Sequence, residues 1–307
     1  MFSPSANVAA AVKIKPPSHQ FRVSTDAVRQ EYRRGRISEL ANEIERRQEL
    51  ANVLAPDAAV TISRDVGFVV CGPGAFAEVP AIVTAARDVV ERVDLERVKA
   101  EANKPFMVKL VKMDTLTLNS PLLSFALRRD IVASAARYLG VVPILQYANV
   151  MFSSHAAAEP AKSQLYHCDS DEAEQVKVFI LCEAVTADTG PLTFLPASQS
   201  QAVRDRVQYK YKTRLADDVV RAALDEPPQE TQLTGPPGTT AFLDTSRCLH
   251  FGSRFRDTSA RRLVVMLQYI TPMAFILPEG DFREGATFRH LAGQAPDEVT
   301  AMVLGAV

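Results

Sequence analysis

From residue 142 onward the chain is cut into eight short runs that are apolar or alternate apolar with polar. They fall at 144–152, 164–169, 176–183, 192–195, 231–233, 239–243, 249–253 and 263–270. Runs of this length suit strands and are too short for helices of ordinary length. Turn punctuation separates several of them, as in Asp188-Thr189-Gly190-Pro191 and Gly235-Pro236-Pro237-Gly238. Many short strands joined this way fit a double-sheet jelly roll, a cupin-like double-stranded β-helix, with helices packed outside it. The expected fold class is therefore α+β with a mainly β core and N-terminal and flanking helices.

The first half reads differently. Residues 1–24 are rich in Pro, Ser and Ala without a sustained period and are expected to form a flexible arm. The stretch 25–54 is strongly charged, with Ile37, Leu40, Ile44, Ala51 and Leu54 near one helical face, and Pro56 ends it. Thr25-Asp26 is placed to cap it. Strands are expected over 60–71 and 106–113, and helices over 76–102 and 122–139, the last stopped by Gly140. The expected organisation is one catalytic domain over 25–307. It comprises a helical elaboration (25–142), the jelly-roll core (143–272) and a C-terminal extension (273–307).

Within the core, His167-Cys168-Asp169 lies in one strand-like run and His250 in another. Side chains alternate across a strand, so His167 and Asp169 point one way and Cys168 the other. An imidazole and a carboxylate from one strand, with a second imidazole from another, make the facial triad that holds non-haem Fe(II) and leaves positions open for oxygen chemistry. Of the five histidines, His19 lies in the arm, His155 in a loop and His290 beyond the last strand; His250 is the remaining candidate. A His-x-Asp tripeptide alone is a weak signal, and a surface His and Asp flanking a strand is the plain alternative.

Arg261 begins the strand that follows His250, next to Arg262. A buried guanidinium grips a carboxylate through two parallel hydrogen bonds, which is what the far end of a dicarboxylic acid requires. Only one of these adjacent arginines can face inward, and the pair could equally begin an exposed edge.

Length and composition set wider bounds. The 307 residues, 47% hydrophobic, suffice for one large core. A net charge of −1 gives no basic field for nucleic acid or an anionic membrane. No apolar run approaches the ~18 residues that span a bilayer. The start is a poor signal peptide, so a cytoplasmic location is expected. Cys71, Cys168, Cys182 and Cys248 show no CxxC spacing and read as reduced thiols.

Three stretches together carry a resemblance: SQLYHCDSDEAEQVKVFILCEAVTADTGPLTFLPASQS, GTTAFLDTSRCLHFGSRF and RRLVVMLQY. They resemble the phytanoyl-CoA dioxygenase family of Fe(II)/2-oxoglutarate-dependent oxygenases. The family pattern is a Gln-x-aromatic-His-x-Asp strand, a GPLxxxPxS turn, a distal His and an Arg about eleven residues later; all four parts occur here in order, across residues 143–272. The resemblance implies iron held by His167, Asp169 and His250, Arg261 on the far carboxylate of 2-oxoglutarate, and Gln164 reaching the same cosubstrate. It also implies O2 as oxidant, release of succinate and CO2, and hydroxylation of a small molecule. An intact Asp169 favours hydroxylation over halogenation, which uses a small residue there. Many members have Ser two residues after the distal His, where this chain has Gly252 followed by Ser253.

Two other functional classes stay open from the residues: a degenerate jelly-roll module that binds without turnover, and a zinc-dependent hydrolase using the same ligands. Cys248 could approach the metal or simply fill the core. The run Arg204, Arg206, Lys210, Lys212, Arg214 could draw in an anion or form a solvated face.

Overall fold

Alternation along two long strands shows how the molecule is layered. Leu263, Val265, Leu267 and Tyr269 belong to the core shared with the helices, whereas Arg262, Val264, Met266 and Gln268 line an internal cavity. Val176, Val178 and Ile180 likewise face the helices, and Lys177, Phe179 and Leu181 face the cavity. Both faces of this sheet are covered, which explains runs more apolar than a half-solvated strand would show.

The protein, described here from a computed structural model, is defined over residues 18–155, 159–277 and 282–306. Helices α1 (Ser18–Arg22), α2 (Asp26–Glu39) and α3 (Ala41–Leu54) precede β1 (Phe68–Cys71). Helices α4 (Val79–Arg92) and α5 (Leu95–Glu101), strand β2 (Met107–Lys109), and helices α6 (Pro121–Ala126) and α7 (Arg129–Leu139) follow. Then come β3 (Ile144–Ser154), β4 (Val176–Leu181), β5 (Leu192–Phe194), α8 (Ala197–Arg206) and α9 (Asp217–Ala222). Strands β6 (Thr231–Leu233), β7 (Thr240–Leu243), β8 (His250–Phe251) and β9 (Arg261–Ile270), and helix α10 (Glu298–Val303), complete the order.

Six strands form one antiparallel sheet in the order β1-β7-β4-β9-β3-β2, and three form a second in the order β6-β5-β8. Isolated bridges at Tyr166 and His167 extend the small sheet beyond β8. Helices α4, α6 and α7 pack over β3, β4 and β9 on the outer face of the large sheet. This is the expected jelly roll with helices outside.

Several expected elements are shorter or broken. The strand expected over 60–71 is formed only at Phe68–Cys71, and that over 106–113 only at Met107–Lys109. The helix expected over 25–54 breaks at Leu40, where the backbone turns to φ −105°, ψ 24°. The one expected over 76–102 breaks before Asp94, whose carboxylate accepts from the Arg97 N–H at 3.1 Å and caps α5. That over 122–139 breaks at Arg128, with ψ 136°. Gly140 does stop α7, in the left-handed conformation (φ 76°). Residues 18–22 of the expected arm form α1, with Phe21 stacked on Tyr32 at 5.0 Å; residues 1–17 lie outside the described residues.

The charged face of α2 and α3 is only partly solvated. Ile37 is exposed, while Arg29, Arg36 and Arg47 are buried. Arg29 donates to the carbonyls of Arg22 and Glu172, each at 2.6 Å, and lies 3.5 Å from the centre of the Tyr211 ring. A guanidinium with a long apolar stem can be buried where backbone carbonyls satisfy its donors. Arg29 therefore ties α2 to the segment just after Asp169.

Candidate metal centre

Backbone pairing brings the two histidines together. His167 N donates to His250 O and His250 N to His167 O, each at 3.0 Å, so the two residues are directly opposed across an antiparallel bridge. Opposed residues share a face, and their ring centroids lie 4.3 Å apart. Asp169, two residues on, shares that face, and its N–H donates to Thr245 O at 2.8 Å. Its carboxylate oxygens lie 3.9 Å from Nε2 of each histidine. Among the described residues these three form the one group of His, Cys, Asp or Glu that could hold a metal ion, with ligand atoms all within 4.8 Å of one another.

Each ring is fixed by its other nitrogen. Nδ1 of His167 faces Leu165 O at 2.9 Å, and Nδ1 of His250 faces Cys248 O at 2.9 Å. A carbonyl can only accept, so Nδ1 carries the proton and Nε2 presents a lone pair toward Asp169. Burial lowers the pKa of His167 well below the usual histidine value, and the neighbouring His250 adds to the effect. Burial also lowers that of His250, against the pull of Asp169. Both rings are thus neutral at physiological pH, as a metal ligand must be. Burial alone would raise the pKa of Asp169. Lys177 and the two histidines outweigh it and hold the carboxyl well below the ordinary range. Lys177 Nζ donates to Asp169 Oδ2 at 2.7 Å, and Gln175 Nε2 to the same oxygen at 3.3 Å.

Cys168 points the opposite way, into a cluster with Tyr166, Tyr209 and Leu249. Cys248 is buried beside Ala197 and is not part of the metal group, so the filler reading holds for it. All four cysteines are free.

These three side chains line a cavity of about 350 Å³ between the sheets. Arg262 also lines it; Arg261 does not. This corrects the placement expected from spacing. Arg261 projects from the outer face, where it is 57% exposed and pairs with Glu183 at 2.9 Å. Arg262 is buried, and its Nη2 donates to Ser253 Oγ at 3.0 Å while its Nη1 donates to Gly190 O. Among the described residues it has no carboxylate partner, its Nε–H has no acceptor, and burial pushes its pKa down to about 10.

The physical reason is the pleat of β9. Its pairing with β3 and β4 turns Val264, Met266 and Gln268 into the cavity, so Arg262 shares their face and Arg261 takes the other. Gln268, the one other polar residue of the strand beyond its two arginines, was the available clue. It shares alternation parity with Arg262 and not with Arg261.

Gln164 is buried but does not line the cavity. Its Nε2 donates to Ser253 O at 2.8 Å and its Oε1 accepts from Ala161 N at 3.2 Å. Both ends are engaged by backbone, so it braces the Ser253 turn and is not positioned as the expected cosubstrate contact. Sequence reasoning missed Lys177, and gave Ser253 and Gly190 no part in holding the arginine. The Gly190 carbonyl receives both Arg262 Nη1 and Ser253 N. Its φ of 65° and the Phe255 ring, which a Cβ would approach to 2.9 Å, require glycine there.

The basic run at 204–214 is not one face. Arg204 is buried against Asp26 and Cys168, Arg206 is exposed beside Asp225, and Lys212 and Arg214 border a second cavity. Tyr209 and Tyr211 are buried beneath them.

A solved structure of EctD from S. alaskensis with bound Fe aligns with a TM-score of 0.52 at 18% identity, covering 74% of this chain and 81% of EctD. EctD solved with 2-oxoglutarate and 5-hydroxyectoine aligns at 0.48 and 18%, covering 70% and 77%. The alpha ketoglutarate-dependent epimerase SnoN from nogalamycin biosynthesis aligns at 0.45 and 16%, covering 73% and 84%. The first of these likenesses establishes a shared fold. No protein-family model matches the sequence, that of the phytanoyl-CoA dioxygenases included, and no curated protein matches it. No helix among the described residues is long and apolar enough to cross a membrane.

Proposed function

We propose that the protein is an Fe(II)/2-oxoglutarate-dependent oxygenase that hydroxylates a small molecule. The observation that carries this is the pairing, in one cavity, of a two-histidine, one-carboxylate set with a desolvated arginine that has no carboxylate partner among the described residues. Two neutral Nε2 donors and an ionised carboxylate fit a divalent first-row metal with open positions. The buried guanidinium, with an Nε–H lacking an acceptor, fits the far carboxylate of a diacid. The likeness in fold to EctD, solved with bound iron, supports the reading. When bound, iron and 2-oxoglutarate would supply O2 activation coupled to oxidative decarboxylation, yielding succinate and CO2.

The chain's own residues do the rest. Leu165 O and Cys248 O fix both imidazoles in one tautomer and orientation. Lys177 keeps Asp169 ionised, and Gln175 donates a second hydrogen bond to the same oxygen. Ser253, Ser153 and the Gly190 carbonyl hold the Arg262 guanidinium in place before any ligand arrives, which reduces the ordering cost of binding. Phe179, Leu181, Leu192 and Val264 give that end of the cavity apolar walls, which strengthens a charge pair formed there.

Anaerobic protein given Fe(II) and 2-oxoglutarate should develop a weak visible charge-transfer band. His167→Ala should lose it. A wild-type protein that binds both and shows no band, or that never forms succinate with any substrate tried, would refute the reading.

A further inference from the structure

The metal cavity adjoins a second cavity of about 510 Å³, and Lys104, Asp169 and Asp171 line both. Four basic side chains line the first cavity and five the second, with Lys104 common to them. The carboxylates among the described lining residues are Asp169 and Asp171 alone. The whole chain carries a net charge of −1, so this excess of positive charge is a matter of placement, not composition. The reading above does not remove it, because a divalent cation and a dianionic diacid cancel each other.

Neither carboxylate forms an ion pair with the outer group of cations. Asp169 is engaged by Lys177, and Asp171 by Arg22 and Gln268. Lys104 Nζ bonds to Ser163 Oγ at 3.4 Å, and Lys162 Nζ to Asn103 Oδ1 at 2.9 Å. Arg214 Nη1 bonds to the carbonyls of Thr213 and Lys212 at 3.1 and 3.3 Å. Among the described residues none of these three forms an ion pair. Burial lowers the pKa of Lys104; Asp169 opposes this, while Arg214, Lys177 and Lys162 reinforce it. Lys104 and Arg214 are half-buried and Lys162 is exposed; cations grouped around one cleft attract an anion more strongly than the same charges scattered over a surface.

The position is also distinct from the diacid end. Arg262 and Gln268 both face the cavity, and at ~3.3 Å per residue they lie roughly 20 Å apart along β9. Asp169 lies toward the Gln268 end, where Lys177 stands opposite Gln268 and touches Asp169, while His250 lies toward Arg262, which a Cβ on Gly252 would approach to 3.5 Å. Lys162 and Arg214 line the second cavity, and Arg262 lines only the first. Met107, Tyr147 and Met266 supply apolar surface to the same cavity.

We propose that the substrate oxidised here is an organic anion. Its carboxylate or phosphate group docks between Lys104, Lys162 and Arg214, beside the metal, and its apolar body lies against Met107, Tyr147 and Met266. This rests on the oxygenase reading and narrows its substrate class.

The test titrates inorganic phosphate and benzoate separately into the full chain, into Lys104→Gln/Arg214→Gln, and into Arg262→Leu. At least one probe should bind the wild type and Arg262→Leu alike, bind about tenfold more weakly to the double variant, and weaken with added salt. Preference for phosphate assigns a phosphate ester, and preference for benzoate a carboxylic acid. Equal affinity in wild type and double variant, binding of neither probe, or loss only in Arg262→Leu overturns the proposal. If the double variant melts early, Arg214→Gln alone is read in the same titration, and an unchanged affinity is decisive against docking. The Fe(II)/2-oxoglutarate band, measured in parallel and expected intact in Lys104→Gln/Arg214→Gln, separates the two readings. An absent wild-type band with the probe result intact breaks the oxygenase assignment alone.

Discussion

The two walls of the barrel are built on different principles. The large sheet has long ladders, with β3 and β9 paired from Ile144–Ile270 to Ser154–Arg261, and helices cover its outer face. The small sheet has strands of two and three residues, and the segment bearing His167 and Asp169 joins it only through isolated bridges. Yet the small wall carries all three metal-capable side chains. Its rigidity comes from side chains instead of a ladder: Tyr209 OH accepts from Cys168 N at 3.1 Å, Ser200 Oγ from Leu249 N at 2.8 Å, and Arg29 clamps the chain after Asp169. A regular wall gives stability, and an irregular one lets residues from distant segments converge.

Substitutions on the two walls should therefore separate metal binding from folding. The largest effect is expected from His250→Ala on the small wall. Metal affinity should drop by more than about a hundredfold, since loss of a ligand exceeds the ten- to hundredfold typical of its supporting contacts. The melting temperature of the metal-free protein should barely move; a collapse of the fold would show that the triad also holds the small wall together.

Next comes the arginine pair at the edge of the large wall. Arg262→Leu should weaken 2-oxoglutarate binding by roughly 2–5 kcal/mol, as for truncation of one partner of a buried charge pair. Arg261→Ala should leave it unchanged and cost about 0–1 kcal/mol of stability, the worth of an exposed ion pair. The reverse result would mean that the strand register is wrong.

Within the large wall itself, Leu267→Ala should destabilise the fold by about 2–5 kcal/mol, because a fully buried side chain leaves a cavity. Metal affinity per folded molecule should stay the same, as read by denaturant melts with and without metal.

The smallest effect concerns pH. Both imidazoles titrate below the usual histidine value, so protons compete for Nε2 only at acid pH. Metal affinity should stay flat from pH 8 down to about 6.5, the unperturbed histidine value, and fall below it. Lys177→Met should weaken metal binding by about tenfold, within the range for a supporting contact, and should steepen the acid limb as Asp169 loses the charge that keeps it ionised. A half-point at or above the ordinary histidine value in the wild type would contradict the buried, neutral rings.

Much of this was legible in the chain, unevenly and for identifiable reasons. The strands of the large sheet declared themselves through alternation, because burial on two sides imposes a period of two on the sequence. The 164–169 run looked like a strand but makes only bridges, since its side-chain pattern is satisfied without a ladder. The charged faces of α2 and α3 misled, because hydropathy treats every arginine as exposed. Arg29 and Arg47 instead lie inside, where each donates to carbonyls distant along the chain, such as Glu172 O and Val142 O.

By itself the sequence determined that His167 and Asp169 share a face, that Gly140 ends a helix, and that short strands must close into a double sheet. These are consequences of local backbone geometry. Tertiary structure decided which arginine faces inward, because the pairing of β9 with β3 and β4 sets which of its two faces meets the cavity. It also decided where the cations gather, because Arg22, Lys104, Lys162 and Arg214 are distant along the chain and adjacent only once the fold has closed.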